Sequence, residues 1–183
     1  ANYDLVTSIR ETTDRAARGE LKKTLSAVTF GGTFKERKKI EDPSGLACLD
    51  FDKVVDPGGL KELLKTSKYI LACWLSPSGN GIKALAKVPL VISQGRYTEY
   101  YKGLLQHYAE LNPDPSTKDI NRLCFESYDP SLYLNLDSKV FDKRVISNFV
   151  EQKRSVENPI SNHGEGATIR KICTWWKRKF GFY

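Results

Sequence analysis

The sequence favours an α+β domain on the order and type of its elements. Helical and strand-like runs are mixed, with short strands and hairpins in place of strict β-α alternation. The clearest hairpin is formed by strand-like runs at 69–75 and 82–88 on either side of Ser76-Pro-Ser-Gly-Asn-Gly81. The clearest helix is 96–111, where Tyr97, Tyr101, Leu104, Leu105, Tyr108 and Leu111 recur at three- and four-residue spacing, so that one face is apolar.

The remaining elements follow in order. Residues 1–26 are charged and read as helix, with Leu21 and Leu25 on one face and five basic residues from Arg10 to Lys23. Residues 27–34 (AVTFGGTF) read as a strand broken by a Gly-Gly kink or bulge. Lys35-Glu-Arg-Lys-Lys39 is a charge cluster, read first as a solvated turn or helix start and second as a contact to template or triphosphate. Asp42-Pro-Ser-Gly45 turns the chain into an apolar strand ending Leu49-Asp-Phe-Asp52. Asp56 then caps a helix that buries Leu60, Leu63 and Leu64. Beyond 111, Asn112-Pro-Asp-Pro115 ends the long helix and 120–127 holds a short strand with Arg122 at its start. Loop and short strand fill 133–141, and 142–157 is a polar stretch compatible with helix. A domain over 1–160 is followed by a linker and a basic, aromatic tail over 161–183.

Composition narrows the function classes. A chain of 183 residues can bury a proper core, and a formal charge of +7 favours a polyanionic partner. Cys48, Cys73, Cys124 and Cys173 lie far apart, with no zinc or disulfide spacing. Cys48 and Cys73 read as buried thiols, which fits a reducing, cytoplasmic setting. No signal peptide or membrane-length apolar run is present, so no membrane partner is expected. Methionine is absent, including at position 1, which points to a processed or trimmed chain.

The chemistry-bearing residues concentrate between 46 and 130. Asp50 and Asp52 sit two apart on a strand and therefore share a face. Two carboxylates on one face of an apolar strand repel, and a divalent cation is a physical solution. The plainer alternative is strand-end carboxylates that cap turns or pair with lysines. Ser78, Gly79, Asn80 and Gly81 form a turn whose backbone N–H groups can cradle an anion, with Lys83 adding charge at its exit. An ordinary hairpin loop explains the same residues. Arg122 needs an anionic partner, either a phosphate or a carboxylate such as Asp119 or Glu126. His107, beside the apolar stripe of 96–111, reads as packed or exposed and not as catalytic.

Four ordered stretches together resemble the archaeo-eukaryotic primase superfamily. They are 25–34 (LSAVTFGGTF), 48–52 (CLDFD), 76–83 (SPSGNGIK) and 114–130 (DPSTKDINRLCFESYDP). The nearest branch is that of the primase-polymerase-like domains of mobile elements, similar to the VirE N-terminal and BT-type domains. The resemblance implies a primase-polymerase fold with an RRM-like antiparallel sheet packed on helices. It also implies a DNA-directed primase or polymerase that extends a primer on single-stranded DNA from NTPs or dNTPs, using two Mg²⁺ or Mn²⁺ ions. Asp50, Asp52 and Asp114 would be catalytic metal ligands, with Asp119 and Asp129 as fallbacks for the third. Ser78, Gly79, Asn80, Gly81, Lys83 and Arg122 would bind nucleotide. Lys83 stands where many members carry histidine, and Pro113 precedes Asp114 where an aliphatic residue is usual.

A bacterial, phage or plasmid-encoded protein, with a helicase or further C-terminal domain as partner, fits the same branch. In the tail, Arg170, Lys171, Trp175, Lys177, Arg178 and Lys179 suit single-stranded nucleic acid, through phosphate contacts and base stacking. The competing reading packs Ile172, Trp175, Trp176 and Phe180 as an amphipathic helix. The alternative function is a non-catalytic nucleic-acid-binding, replication-initiation module on a primase-like fold. A Rep-type endonuclease is disfavoured, because His107 and His163 cannot form a His-hydrophobe-His motif.

Overall fold

A computed structural model describes residues 2–36 and 39–146. The expected N-terminal helix is two helices, α1 (Tyr3–Glu11) and α2 (Arg15–Lys23). Asn2 caps α1 and Asp14 caps α2, each accepting a backbone N–H three residues on, so the Thr12–Asp14 stretch ends one helix and starts the next. Leu25 therefore lies beyond α2 and does not share a helical face with Leu21. It is buried with Val6 and Ile9 of α1 in a small apolar cluster.

The strand expected over 27–34 breaks at Phe30–Gly31 into β1 (Ala27–Thr29) and β2 (Gly32–Glu36), which pair with different partners. β2 pairs antiparallel with β3 (Lys39–Pro43), so Lys35, Glu36 and Lys39 of the charge cluster lie on strands and not at a helix start. Both glycines are needed for close approach. A Cβ at Gly31 would lie 2.1 Å from the Ile120 carbonyl oxygen, and Gly32 has φ +146°, with its Cβ position 2.4 Å from the Asp42 carbonyl oxygen. Gly31→Ala is expected to lower stability by about 1–3 kcal/mol through overpacking against backbone that cannot yield. A denaturant midpoint unchanged from wild type would refute that expectation.

The central sheet has four antiparallel strands: β4 (Leu46–Phe51), β5 (Ile70–Leu75), β6 (Ile82–Lys87) and β8 (Tyr133–Leu134), in the order β4-β6-β5-β8. Helix α3 (Pro57–Lys65) links β4 to β5, and β6 inserts between them antiparallel to both, forming a split β-α-β unit. Asp56 caps α3 as expected, its carboxylate accepting the Gly59 N–H at 2.9 Å. The buried face of α3 differs from the sequence expectation: Leu63 is 57% exposed, while Lys61 is buried. A buried ion pair with Asp129 accounts for that inversion, since a paired lysine can replace leucine in the interior.

Helix α4 (Gln94–His107) starts at its Ser93 cap, and a short 3-10 turn at Ala109–Leu111 completes the apolar stripe. Tyr97, Tyr101, Leu104 and Tyr108 join Leu60 and Leu64 of α3 against Leu49, Phe51, Ile82 and Ala84 of the sheet. Each fully buried large side chain in this layer contributes roughly 1.5–3 kcal/mol. His107 lies edge-on to Tyr69 and Tyr108, a packed histidine whose pKa is lowered by burial and by Lys143 and Lys68.

The opposite face of the sheet, carrying Leu46, Leu71, Trp74 and Leu85, is covered by Phe30 and Cys124. Cys124 belongs to β7 (Leu123–Phe125), which pairs antiparallel with β1 as a two-stranded ribbon. Cys48, Cys73 and Cys124 are free thiols, with Cys48 half-buried where full burial was expected. Residues 142–146 are not helical. The rest of 142–157, together with tail residues Arg170, Lys171, Trp175, Lys177, Arg178 and Lys179, lies outside the described residues. Among the described residues, no helix is long and apolar enough to cross a membrane.

Candidate functional site

Strand alternation sets the first part of the site. Leu46, Cys48 and Asp50 of β4 face the ribbon side, as do Lys83 and Leu85 of β6, and register places Asp50 directly opposite Lys83. The two side chains form an ion pair, Lys83 Nζ to Asp50 Oδ2 at 2.5 Å, with both 13–15% exposed. Burial opposes the Lys83 charge, but Cys124, Asp50 and Cys48 around it outweigh burial and hold the ammonium pKa above its ordinary value. Behind the pair, the Cys48 and Cys124 thiols donate to the carbonyls of Leu49 and Phe125, and the neighbouring Cys124 and burial push the Cys48 thiol pKa up.

Asp52 lies one residue past the end of β4, where Lys53 adopts a left-handed φ of 54° and turns the chain away. Its pKa is raised, first by burial and then by the Asp50 carboxylate, with a smaller push from Asp114. Asp114 is held beside them by its backbone, the N–H donating to the Asp50 carbonyl at 2.7 Å. The acids at 50, 52 and 114, distant in the sequence, are thus brought to one end of the β4–β6 pair.

The glycine-rich turn sits at the same end. Ser76 N–H donates to Gly81 C=O at 2.8 Å and Gly79 N–H to Ser76 C=O at 2.9 Å, with Gly79 at φ +75°. Two N–H groups therefore close the turn itself, leaving a smaller cradle than the sequence suggests. Gly81 is required by proximity, since a Cβ there would lie 2.6 Å from the Phe51 carbonyl and 3.5 Å from an Asp52 carboxylate oxygen.

Two basic residues missed by sequence reasoning reach this region. Arg10 of α1 runs alongside Gly79 and donates to the carbonyls of Tyr128 (2.6 Å) and Ser76 (3.5 Å). Burial lowers its pKa, and its Nε is buried without a partner. Lys22 of α2 is half-buried, its pKa lowered by burial against the opposing pull of Asp52 and Asp50. The only sequence signal for either was the run of basic residues from Arg10 to Lys23, which marks a charged helix but not its target.

The other candidates are placed elsewhere or otherwise engaged. Arg122 is exposed and opens onto a groove of about 500 Å³ shared with Phe34, Asp119, Leu123 and Phe125, but with none of Asp50, Asp52, Asp114 or the 76–81 turn. Asp119 is exposed in that groove. Asp129 is committed to structure: Lys61 Nζ lies 2.5 Å away, and Leu75 N–H, Ser131 N–H and the Ser131 hydroxyl also donate to it.

Whether these residues suit a divalent ion turns on their free oxygens. Asp50 Oδ1 is buried without a hydrogen-bond partner, a vacancy that a cation would satisfy. Asp52 adds an adjacent carboxylate whose charge burial and Asp50 disfavour. Asp114 fits less well, because its oxygens accept the Ser116 N–H (2.8 Å) and hydroxyl (2.7 Å). Among the described residues, no three His, Cys, Asp or Glu side chains are disposed as a ligand group. Asp50 and Asp52 fit a cation as a pair, with Asp114 alongside.

The fold and site define an α+β domain with an acid-and-lysine cluster at one end of an antiparallel sheet. The chain belongs to the BT4734-like family: the profile described as BT4734-like, N-terminal domain, matches residues 20–134. That span takes in the last turn of α2, the central sheet and every acid and lysine of the cluster, and leaves Arg10 outside. No curated protein and no solved structure matches the chain.

Proposed function

We propose that the domain is a primase-polymerase-type nucleotidyltransferase that extends primers on single-stranded DNA from NTPs or dNTPs. The observation that carries the reading is the unpartnered, buried Asp50 Oδ1, beside Asp52 and across from Lys83. The helix-backed antiparallel sheet with its split β-α-β unit supports a primase-type core, although the fourth strand pairs with β5 at the edge away from β4. Mg²⁺ or Mn²⁺ ions, when bound, supply activation of the primer 3′-hydroxyl and neutralisation of charge on the α-phosphate.

The chain's own residues have distinct tasks. Asp50 and Asp52 hold the cation through oxygens not already bonded, and Asp114 joins them by giving up Ser116. Lys83, relieved of its role as counter-ion to Asp50, turns to a phosphate oxygen as a point charge. Lys22 adds a second positive charge on the same side, and the Ser78–Gly81 backbone lines the phosphate path.

A specific observation favours the second reading, a non-catalytic nucleic-acid-binding module. Both Asp114 oxygens are bonded to Ser116, and Lys83 already neutralises Asp50. Incorporation of labelled nucleotide on a primed single-stranded template with Mn²⁺ separates the two readings. The proposal expects incorporation, with Lys83→Met raising the nucleotide KM roughly tenfold to a hundredfold, the loss of one charge-assisted hydrogen bond worth about 1.5–3 kcal/mol. No incorporation by the wild-type chain under any divalent ion would leave the binding module standing.

A further inference from the structure

The Gly31–Ile120 crossing brings the β2–β3 pair against the chain leading into β7. An open groove of about 500 Å³ lies there, within the size range of small-ligand sites. Phe34 reaches it from β2, Leu123 and Phe125 from β7, and Asp119 and Arg122 from the preceding turn. Leu123 is 58% exposed, so the groove presents apolar surface to solvent. Neither Phe34 nor Phe125 contacts another aromatic ring among the described residues. Arg122 is exposed and forms no ion pair among them either.

We propose that this groove binds single-stranded nucleic acid, seating a base against Phe34 and Phe125 with the adjoining phosphate on Arg122. Stacking on aromatic rings tolerates any base, because every base presents a π-face. The chain's +7 charge is in keeping with a polynucleotide partner. Asp119 in the same lining argues against a free triphosphate, which it would repel, and suits the amino edge of a base. Arg122 is thereby assigned to the polynucleotide strand and not to the incoming nucleotide. The inference rests on the nucleic-acid side of the proposed function and not on catalysis.

The test uses the full chain and a fluorescein-labelled oligodeoxythymidylate, read by anisotropy without nucleotide or metal. Phe34→Leu keeps apolar volume but removes the ring, and Arg122→Gln alters only an exposed side chain, so folding is preserved in at least the second. Each is expected to weaken binding roughly tenfold, the scale of one lost stacking or phosphate contact. Arg122→Gln should also reduce the slope of log affinity against log salt by about 1. Unchanged affinity and salt slope in both variants would overturn the proposal. So would an Arg122→Gln chain that binds the oligonucleotide normally but has a raised nucleotide KM. If no variant or wild-type chain incorporates nucleotide, yet both groove variants lose the oligonucleotide, the groove assignment stands and the polymerase reading falls.

Discussion

Asp52→Asn is expected to abolish nucleotide incorporation, by roughly a thousandfold, while leaving thermal stability unchanged or raised. The size of the loss is that of the several kcal/mol a metal-held charge contributes to such a reaction. The stability expectation comes from the surroundings of Asp52. It forms no ion pair among the described residues, and burial and Asp50 push its pKa up. A carboxyl whose folded pKa lies above its unfolded value stabilises the fold at pH below the unfolded value, and that contribution is lost as pH rises through the folded pKa. Replacing it with an amide should therefore raise the melting temperature more at neutral pH than in acid.

Asp50→Asn should behave differently, because it leaves Lys83 largely buried without its counter-ion and lowers stability as well as activity. Adding Lys83→Met to Asp50→Asn should recover the melting temperature but not incorporation. Wild-type incorporation by Asp52→Asn would remove the metal assignment altogether.

What the sequence made legible depended on the range of the interaction involved. Alternation put Asp50 and Asp52 on one face, of which β4 itself carries Asp50, and the Asp56 cap, the Ser76–Gly81 turn and the Gly31–Gly32 break are local chemistry that a single stretch of chain reveals. The convergence of Asp114 on Asp50 was legible only through the family resemblance, because a backbone hydrogen bond between residues 50 and 114 leaves no trace in local pattern. Leu63 and Lys61 show the opposite failure. Helical periodicity assigned leucine to the interior, yet a buried ion pair with a residue 68 positions away reversed the two. Arg10 and Lys22 were hidden for the same reason: a basic helix reads as solvated until its neighbours in space are known. Arg122 was assigned to the nucleotide through the family resemblance, and a resemblance in sequence does not say which side of a ribbon a side chain occupies.

The largest stability effect should come from that same ion pair. Lys61 and Asp129 have side chains 6% and 1% exposed, and Asp129 also accepts Leu75 N–H at 2.9 Å. Burial pushes the Asp129 carboxyl up, but the Lys61 ammonium, the Leu75 N–H and Ser131 outweigh it and hold the pKa below the ordinary carboxylate value. Lys61→Met strands a buried carboxylate and should cost about 3–5 kcal/mol, read as a fall in the denaturant midpoint. Lys61→Met combined with Asp129→Asn should recover part of that loss, since the amide oxygen still accepts the Leu75 N–H and no charge is left unpaired, while the amide nitrogen loses the Ser131 N–H bond. The pH dependence follows from the lowered pKa: in the wild-type chain the stability Asp129 contributes is present above its unfolded pKa and is lost as pH falls through its folded pKa. The double variant should lose this acid-sensitive component. Leu75 is the last residue before the Ser76–Gly81 turn, and Ser127 also bonds to its carbonyl at 2.7 Å, so Asp129 fixes the root of the proposed phosphate-binding turn. Equal midpoints for wild type and Lys61→Met would show that the pair neither stabilises the fold nor anchors that turn.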